Sequence, residues 1–231
     1  MGYQLYIANK NYSSWSMRPW VLMTARNIEF EEILTPFADA PHQQAFERFS
    51  PTGKVPCLQE GGTLIWDSLA IVEYLAEAHP DVWPKERQAR AWARSACAEM
   101  HSGFMALRDE CSMNCGLRIE VGAPSSGLEK DVLRLSALWE DGFNRFAGPW
   151  LAGEIFGVVD AFFAPVAVRY RTYGLTLSRQ AEAYAEQLLE HPAVSAWIEQ
   201  GLQETWRDET HEQDCLRGRA VLADLRQGVR H

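Results

Sequence analysis

The sequence predicts a small α/β unit of order β-α-β-α-β-β-α followed by an all-helical region, and three features carry that expectation. Short apolar runs of strand type alternate with helical faces over the first 78 residues. Two prolines then interrupt the chain at His79-Pro80-Asp81-Val82-Trp83-Pro84. From residue 85 onward every periodic stretch has the helical period. The expected division is therefore 1–78, a linker at 79–84, and 85–231. A chain of 231 residues is long enough for either part to bury a core.

Leu5-Tyr6-Ile7, bounded by polar Asn9-Lys10-Asn11, reads as a buried strand. Trp20, Val21, Met23 and Ala25 continue from Pro19 as a helix, with the proline expected near its first turn. Phe30–Leu34 is a second strand, and residues 41–49 are a short polar helix or loop. Val55–Gln59 and Thr63–Trp66 form a hairpin through Glu60-Gly61-Gly62. Ser68–Ala78 places Leu69, Ile71, Val72, Leu75 and Ala76 on one helical face. Helices are then expected over 85–114, 127–146, 158–172, 178–189 and 192–202, and the tail beyond them mixes charges of both signs without a period.

Composition narrows the function. The formal net charge is −9, from 22 Lys+Arg against 31 Asp+Glu, and no basic cluster stands out, which argues against nucleic acid or an anionic membrane as partner. No segment approaches the roughly 20 apolar residues of a membrane span, and the first residues lack the pattern of a signal peptide, so a cytoplasmic protein is expected. The cysteines, Cys57, Cys97, Cys111, Cys115 and Cys215, are odd in number and irregularly spaced, which reads as free thiols. Cys111 and Cys115 lie one helical turn apart but have neither a second pair nor a nearby histidine, so no metal is expected. Nine tryptophans suit a core, and some suit a pocket for flat apolar compounds.

Three places combine residue types that carry chemistry. Ser13-Ser14 stand at the start of the first helix, where a hydroxyl either caps the helix or donates to a thiolate, and where the helix N-terminus lowers a thiol pKa. Pro56 opens a strand, which removes a ladder hydrogen bond; a cis Val55-Pro56 bond would turn the Val55 backbone outward toward an extended peptide. Asp67-Ser68 precede another helix, with N–H groups and a hydroxyl for a carboxylate and a carboxylate for an ammonium, or simply a cap. Together they suit a γ-glutamyl-cysteinyl peptide.

Those motifs resemble the glutathione transferase superfamily. Ser13-Ser14-Trp15-Ser16-Met17-Arg18 is similar to the Ser-Ser-Cys-Ser-x-Arg motif of its zeta class, with Trp15 where that motif has cysteine. Lys54-Val55-Pro56 resembles the cis-proline loop, and Asp67-Ser68 the pair that binds the γ-glutamyl group. Leu151–Ala161 resembles the family's Ser/Thr-x-x-Asp helix cap, with Gly157 replacing the hydroxyl residue and Asp160 retained; His191-Pro192 matches the start of a later helix. The resemblance implies an α/β thioredoxin-like N-terminal domain plus an all-α C-terminal domain, glutathione as co-substrate, a small apolar electrophile, and a homodimer active in detoxification. It implies that Ser13 supports the thiolate, with Ser14 as the alternative, and that Lys54, Val55, Pro56, Asp67 and Ser68 bind glutathione. Tyr12, Trp15, Met100, His101 and Phe104 are the expected electrophile pocket, although a Met-aromatic stripe of that kind is also what a helical core needs. Rival readings are a maleylacetoacetate-type isomerase and a non-catalytic interaction module.

Overall fold

The computed structural model describes residues 2–37 and 44–226. Its first part is a four-stranded sheet of order β2-β1-β3-β4, built from β1 (Tyr3–Ile7), β2 (Phe30–Leu34), β3 (Cys57–Glu60) and β4 (Thr63–Trp66). β1 and β2 run parallel, joined by helix α1 (Ser14–Ala25), whereas β3 pairs antiparallel with both β1 and β4. Leu5 and Ile7 are fully buried, and so is Leu58 on the neighbouring strand. Helix α3 (Ser68–Ala78) buries Ile71, Val72 and Leu75, the face expected of it. Of the segment 41–49, residues 41–43 lie outside the described residues, and α2 covers Gln44–Glu47. Helix α1 begins at Ser14, earlier than the sequence pattern suggested. Pro19 therefore lies inside it, where its missing N–H leaves the Trp15 carbonyl without its helical partner.

The remaining chain is dominated by helices. The expected helix at 85–114 is broken: α4 runs Arg87–Ser102 and α5 runs Met105–Glu110. Gly103 caps α4 by donating its N–H to the Glu99 carbonyl at 2.8 Å, and a Cβ there would meet that same oxygen at 2.8 Å, so the turn excludes side chains. Helices α6 (Ser126–Phe146), α7 (Val158–Tyr173), α8 (Arg179–Glu190) and α9 (Pro192–Gln203) follow. The tail that showed no period forms α10 (Glu209–Leu216) and a strand, β6 (Val221–Asp224), which pairs antiparallel with β5 (Leu117–Ile119). A two-stranded ribbon thus sits among the helices. Its strands are separated by about a hundred residues of sequence, too far for a local pattern to reveal.

Helix α7 is buried over most of its length because α1, α4 and α8 pack against it. Its start is held by Asp160, which accepts from the Gly157 N–H at 2.9 Å, the Leu151 N–H at 3.2 Å and the Tyr184 hydroxyl at 2.7 Å. The missing hydroxyl at Gly157 is thereby offset from the other side of the capping pair. Burial lifts the Asp160 carboxyl to about 6 against the opposing pull of those donors. Asp160→Ala would strand three buried donors. It is expected to cost about 3 kcal/mol or more in urea unfolding, given roughly 1–3 kcal/mol for each unsatisfied group; a loss under about 1 kcal/mol would show that the network is not structural.

Candidate functional site

The loop before α1 is held in place by the distant end of the chain. Glu204, just beyond α9, accepts from the Lys10 N–H at 2.7 Å and the Asn11 N–H at 3.2 Å. Trp197 donates its indole N–H to the Lys10 carbonyl at 2.9 Å, and Asn11 Oδ1 accepts from the Cys115 and Gly116 N–H groups at 3.0 and 3.3 Å. Gly201 allows this approach: a Cβ on it would lie 3.1 Å from the Asn11 nitrogen. Lys10 Nζ bonds Gln200 at 2.7 Å and pairs with Glu32.

From this fixed loop the chain enters α1 at a cleft with two connected lobes, about 390 and 450 Å³ in volume, which share Trp15, Lys54 and Val55. The second lobe is lined by Pro56, Asp67 and Ser68, and the Val55-Pro56 bond is cis. Asp67 caps α3 by accepting from the Leu69 N–H at 2.8 Å and holds φ 60°, ψ 150°, a conformation that costs a non-glycine residue energy. Ser68 is buried, and its Oγ lacks a partner among the described residues at a helix N-terminus that favours an anion.

The first lobe is lined by Tyr12, Ser13, Ser14 and Trp15 together with Phe37, Met113, Arg108, Arg169 and His211. The two serines differ in their bonding. Ser13 Oγ donates to Ser16 Oγ at 2.7 Å and accepts from the Ser16 N–H at 3.4 Å, so it is the cap of α1. Ser14 Oγ accepts from Arg169 Nη2 at 3.4 Å, which leaves its proton to donate. Tyr12 points its hydroxyl to Glu212 at 2.5 Å; burial first, and then that carboxylate, hold its pKa well above the ordinary phenol value. A phenol committed in this way is a wall of the lobe and not a thiol activator.

Trp15 is the contact between the lobes. Its ring lies 4.2 Å from the Arg18 guanidinium and 4.5 Å from that of Arg108, with His101 edge-on at 5.2 Å. His101 Nε2 lies 3.2 Å from Asp67 Oδ2, so the indole is linked to the rim of the second lobe. Burial lowers the His101 pKa, against the pull of Asp67. Met100 and Phe104 lie in the core, outside the residues that line the cleft; Met100 is on the buried face of α4, and Phe104 (φ 55°) forms the left-handed turn into α5. His101 reaches the cleft only through Trp15 and Asp67.

Arg108, Arg169 and His211 were absent from the expected site. Arg169 follows an uncharged stretch, Ala161–Val168, and the pattern does not separate it from Arg171 two residues on, which is only partly buried. Arg108 and His211 gave no signal, since each lies in a charged neighbourhood of the sequence. His211 reaches the lobe from α10, stacked on Phe37 at 4.4 Å and Tyr12 at 5.3 Å between ring centroids. A separate cavity of about 650 Å³ is lined by Trp83, Lys85, Gln88, Arg145 and Ile155 and includes neither serine, the cis proline nor Ser68.

Residues 12–78 match the family model for the N-terminal domain of glutathione S-transferases, a span that includes both serines, the cis proline and Asp67-Ser68. Over those residues the chain is similar to the glutathione S-transferase family. The chain is also similar to a probable maleylacetoacetate isomerase of Caenorhabditis elegans, 26% identical over 176 residues that cover 75% of this chain and 81% of that protein. The glutathione S-transferase GstB of Escherichia coli strain K12 is 27% identical over 198 residues, covering 75% and 88%. Among solved structures, a glutathione transferase homologue from Burkholderia gl BGR1, determined with bound glutathione, superposes with a TM-score of 0.67 at 23% identity, covering 87% of this chain and 98% of that one. That match establishes the thioredoxin-like sheet domain with a helical partner as the shared fold.

Glu204→Ala frees the Lys10 and Asn11 N–H groups of the loop before α1. Hydrogen exchange at these amides should then accelerate by about tenfold or more, for a loss of roughly 1.5–3 kcal/mol in bonds to a charged acceptor. Unchanged exchange would show that Trp197 and Asn11 suffice.

Proposed function

We propose that this protein is a glutathione transferase that joins the glutathione thiolate to small electrophiles with an apolar body. The observation that supports it most directly is the second lobe, where an unpartnered buried hydroxyl, a helix N-terminus and the carboxylate of Asp67 meet beside Val55. In this reading the γ-glutamyl carboxylate lies at Ser68, its ammonium at Asp67, and the cysteinyl backbone along Val55, with Lys54 and Pro56 completing the wall. The thiol then falls in the first lobe at the start of α1.

Ser14 is the residue assigned to the thiolate. Ser13 spends its proton on Ser16 Oγ, whereas Ser14 keeps its proton and is polarised by the adjacent Arg169. The thiol releases its proton to solvent. The thiolate, stabilised by the Ser14 hydroxyl, the helix terminus and the arginine charge, attacks the electrophilic carbon. A carbon–sulfur bond forms, and the leaving group departs with the electron pair of the bond that breaks. Residues 1–78 serve glutathione, 79–84 link, and 85–231 supply Arg108, Arg169 and His211 to the electrophile side. The family resemblance also implies a cytoplasmic homodimer with a detoxification role. No helix among the described residues is long and apolar enough to cross a membrane. A maleylacetoacetate-type isomerase is the second reading, favoured by the isomerase relative.

Glutathione at about a hundred times its Kd should stabilise the protein by about 2.7 kcal/mol, read as a rise in Tm, and Ser68→Ala should weaken binding by about tenfold or more. Absence of any shift at millimolar glutathione would favour an interaction module over an enzyme. Ser14→Ala should raise the pKa of the bound thiol and lower kcat near neutral pH by about tenfold for each unit of that rise. Ser13→Ala should instead cost about 1 kcal/mol of stability, as a lost cap does. The reverse pattern would return the catalytic role to Ser13.

A further inference from the structure

We propose that His211, oriented by Asp208, is a catalytic acid of the first lobe, which protonates the oxygen of an α,β-unsaturated carbonyl electrophile as the thiolate adds to it. This rests on the glutathione transferase reading above and adds a residue and a reaction class to that site. The pair is built by the start of α10. Asp208 caps that helix by accepting from the His211 N–H at 3.0 Å, and the same Oδ2 lies 2.6 Å from His211 Nδ1. The Asp208 side chain is only 6% exposed, so water screens its charge little at the ring.

That contact fixes how the imidazole is used. With Nδ1–H directed at the carboxylate, Nε2 is the ring atom left to exchange a proton, and it has no partner among the described residues. The plane of the ring is fixed as well, stacked on Phe37 at 4.4 Å and on Tyr12 at 5.3 Å, with interplanar angles of 30° and 27°. His211 lines the same lobe as Ser14, the residue assigned to the thiolate. Capping α10 needs only the backbone N–H of this residue and leaves the ring unexplained. The other titratable and charged groups around it are Glu212, held by Tyr12 and Arg226, Asp214 on the same helix, and Lys54, Arg108 and Arg169 in the lobe lining. Among them all, imidazole is the side chain whose ordinary titration falls near neutrality, as an acid that must lose and regain a proton requires.

The step balances without a further reactant. The thiol has released its proton to solvent, and His211 enters as the imidazolium, with a solvent-derived proton on Nε2 and the Asp208 charge beside it. The thiolate pair forms the carbon–sulfur bond at the β-carbon. The carbon–carbon π pair shifts to make the enol double bond, and the carbonyl π pair goes to oxygen, which takes the Nε2 proton. The enol then tautomerises to the ketone, and His211 regains a proton from solvent. No group leaves, and nothing is oxidised or reduced. Displacement of chloride from an aryl ring has no such need, because chloride departs without a proton.

The test runs two substrates in parallel on the full chain, trans-4-phenyl-3-buten-2-one and 1-chloro-2,4-dinitrobenzene, and reads the ratio of their kcat/KM values, enone over chloroarene. Both need the thiolate, so its ionisation cancels in the ratio. Because the acid form is lost as pH rises, the ratio is expected to fall between about pH 6 and about pH 8.5, by about tenfold for each unit above the titration of the imidazole. His211→Gln should lower the ratio by about a hundredfold at the acid end of that range and abolish its pH dependence. Asp208→Asn, which can still cap α10, should lower it part of the way. A ratio flat with pH in the unaltered protein, or one that His211→Gln leaves within about threefold, overturns the proposal, and so does turnover of the chloroarene alone. The transferase reading stands in each of those cases. Turnover of neither substrate overturns the proposal too, and if glutathione also fails to raise the Tm, the transferase reading falls with it.

Discussion

The carboxylate of Glu204, closing on the backbone N–H groups of Lys10 and Asn11, is the contact on which the cleft depends. Those amides belong to the loop between β1 and α1, whose own turn bonds run from the Tyr12 and Ser13 N–H groups to the Asn9 carbonyl and leave the Lys10 and Asn11 N–H groups to be paired from elsewhere. Glu204 pairs them from almost two hundred residues away. The glycine at 201 lets α9 come within contact of the loop backbone, and Trp197 completes the grip on the Lys10 carbonyl. The direction in which α1 leaves the loop, and so the positions of Ser13 and Ser14, follows from that anchoring.

A second constraint is the accumulation of buried cations around one indole. Where the zeta motif has cysteine this chain has Trp15, and the larger ring is in contact with both Arg18 and Arg108 and lines both lobes of the cleft. The substitution therefore changes more than one side chain. It creates a face on which a guanidinium from α5 can rest, and it brings His101 and Asp67 into the same chain of contacts. In a low-dielectric setting such an array acts on any anion entering the lobe more strongly than the same charges would at the surface.

The tail shows how the site closes over. Helix α10 carries His211 and Glu212 to Tyr12 and Phe37, and Arg226 pairs with Glu212 after β6 has bonded to β5. Among the described residues of the tail, Arg226 pairs with Glu212 and Asp224, and Arg217 with Asp109. Tyr12 is tied by Glu212 into the wall and Ser13 donates to Ser16, so among these loop hydroxyls Ser14 is the one whose proton is not directed to either partner.

What the sequence by itself determined were features that arise within a few neighbouring residues. The strand at Leu5–Ile7, the helical face of Ser68–Ala78, the cap logic of Gly157 and Asp160, and the serine, proline and Asp67-Ser68 signatures all depend on short-range periodicity and backbone preference. The early start of α1 and the break after Ser102 were obscured because Pro19 and an apolar stripe across Met100–Phe104 mimic other patterns. Tertiary structure decided which groups meet: Glu204 at the Lys10 loop, Arg169 at Ser14, Arg108 on Trp15, and His211 over Phe37. Each of those contacts joins residues far apart in the chain. Local sequence encodes hydrophobic period and capping, but a lone charged side chain acquires its meaning only from the burial and the partners that packing supplies.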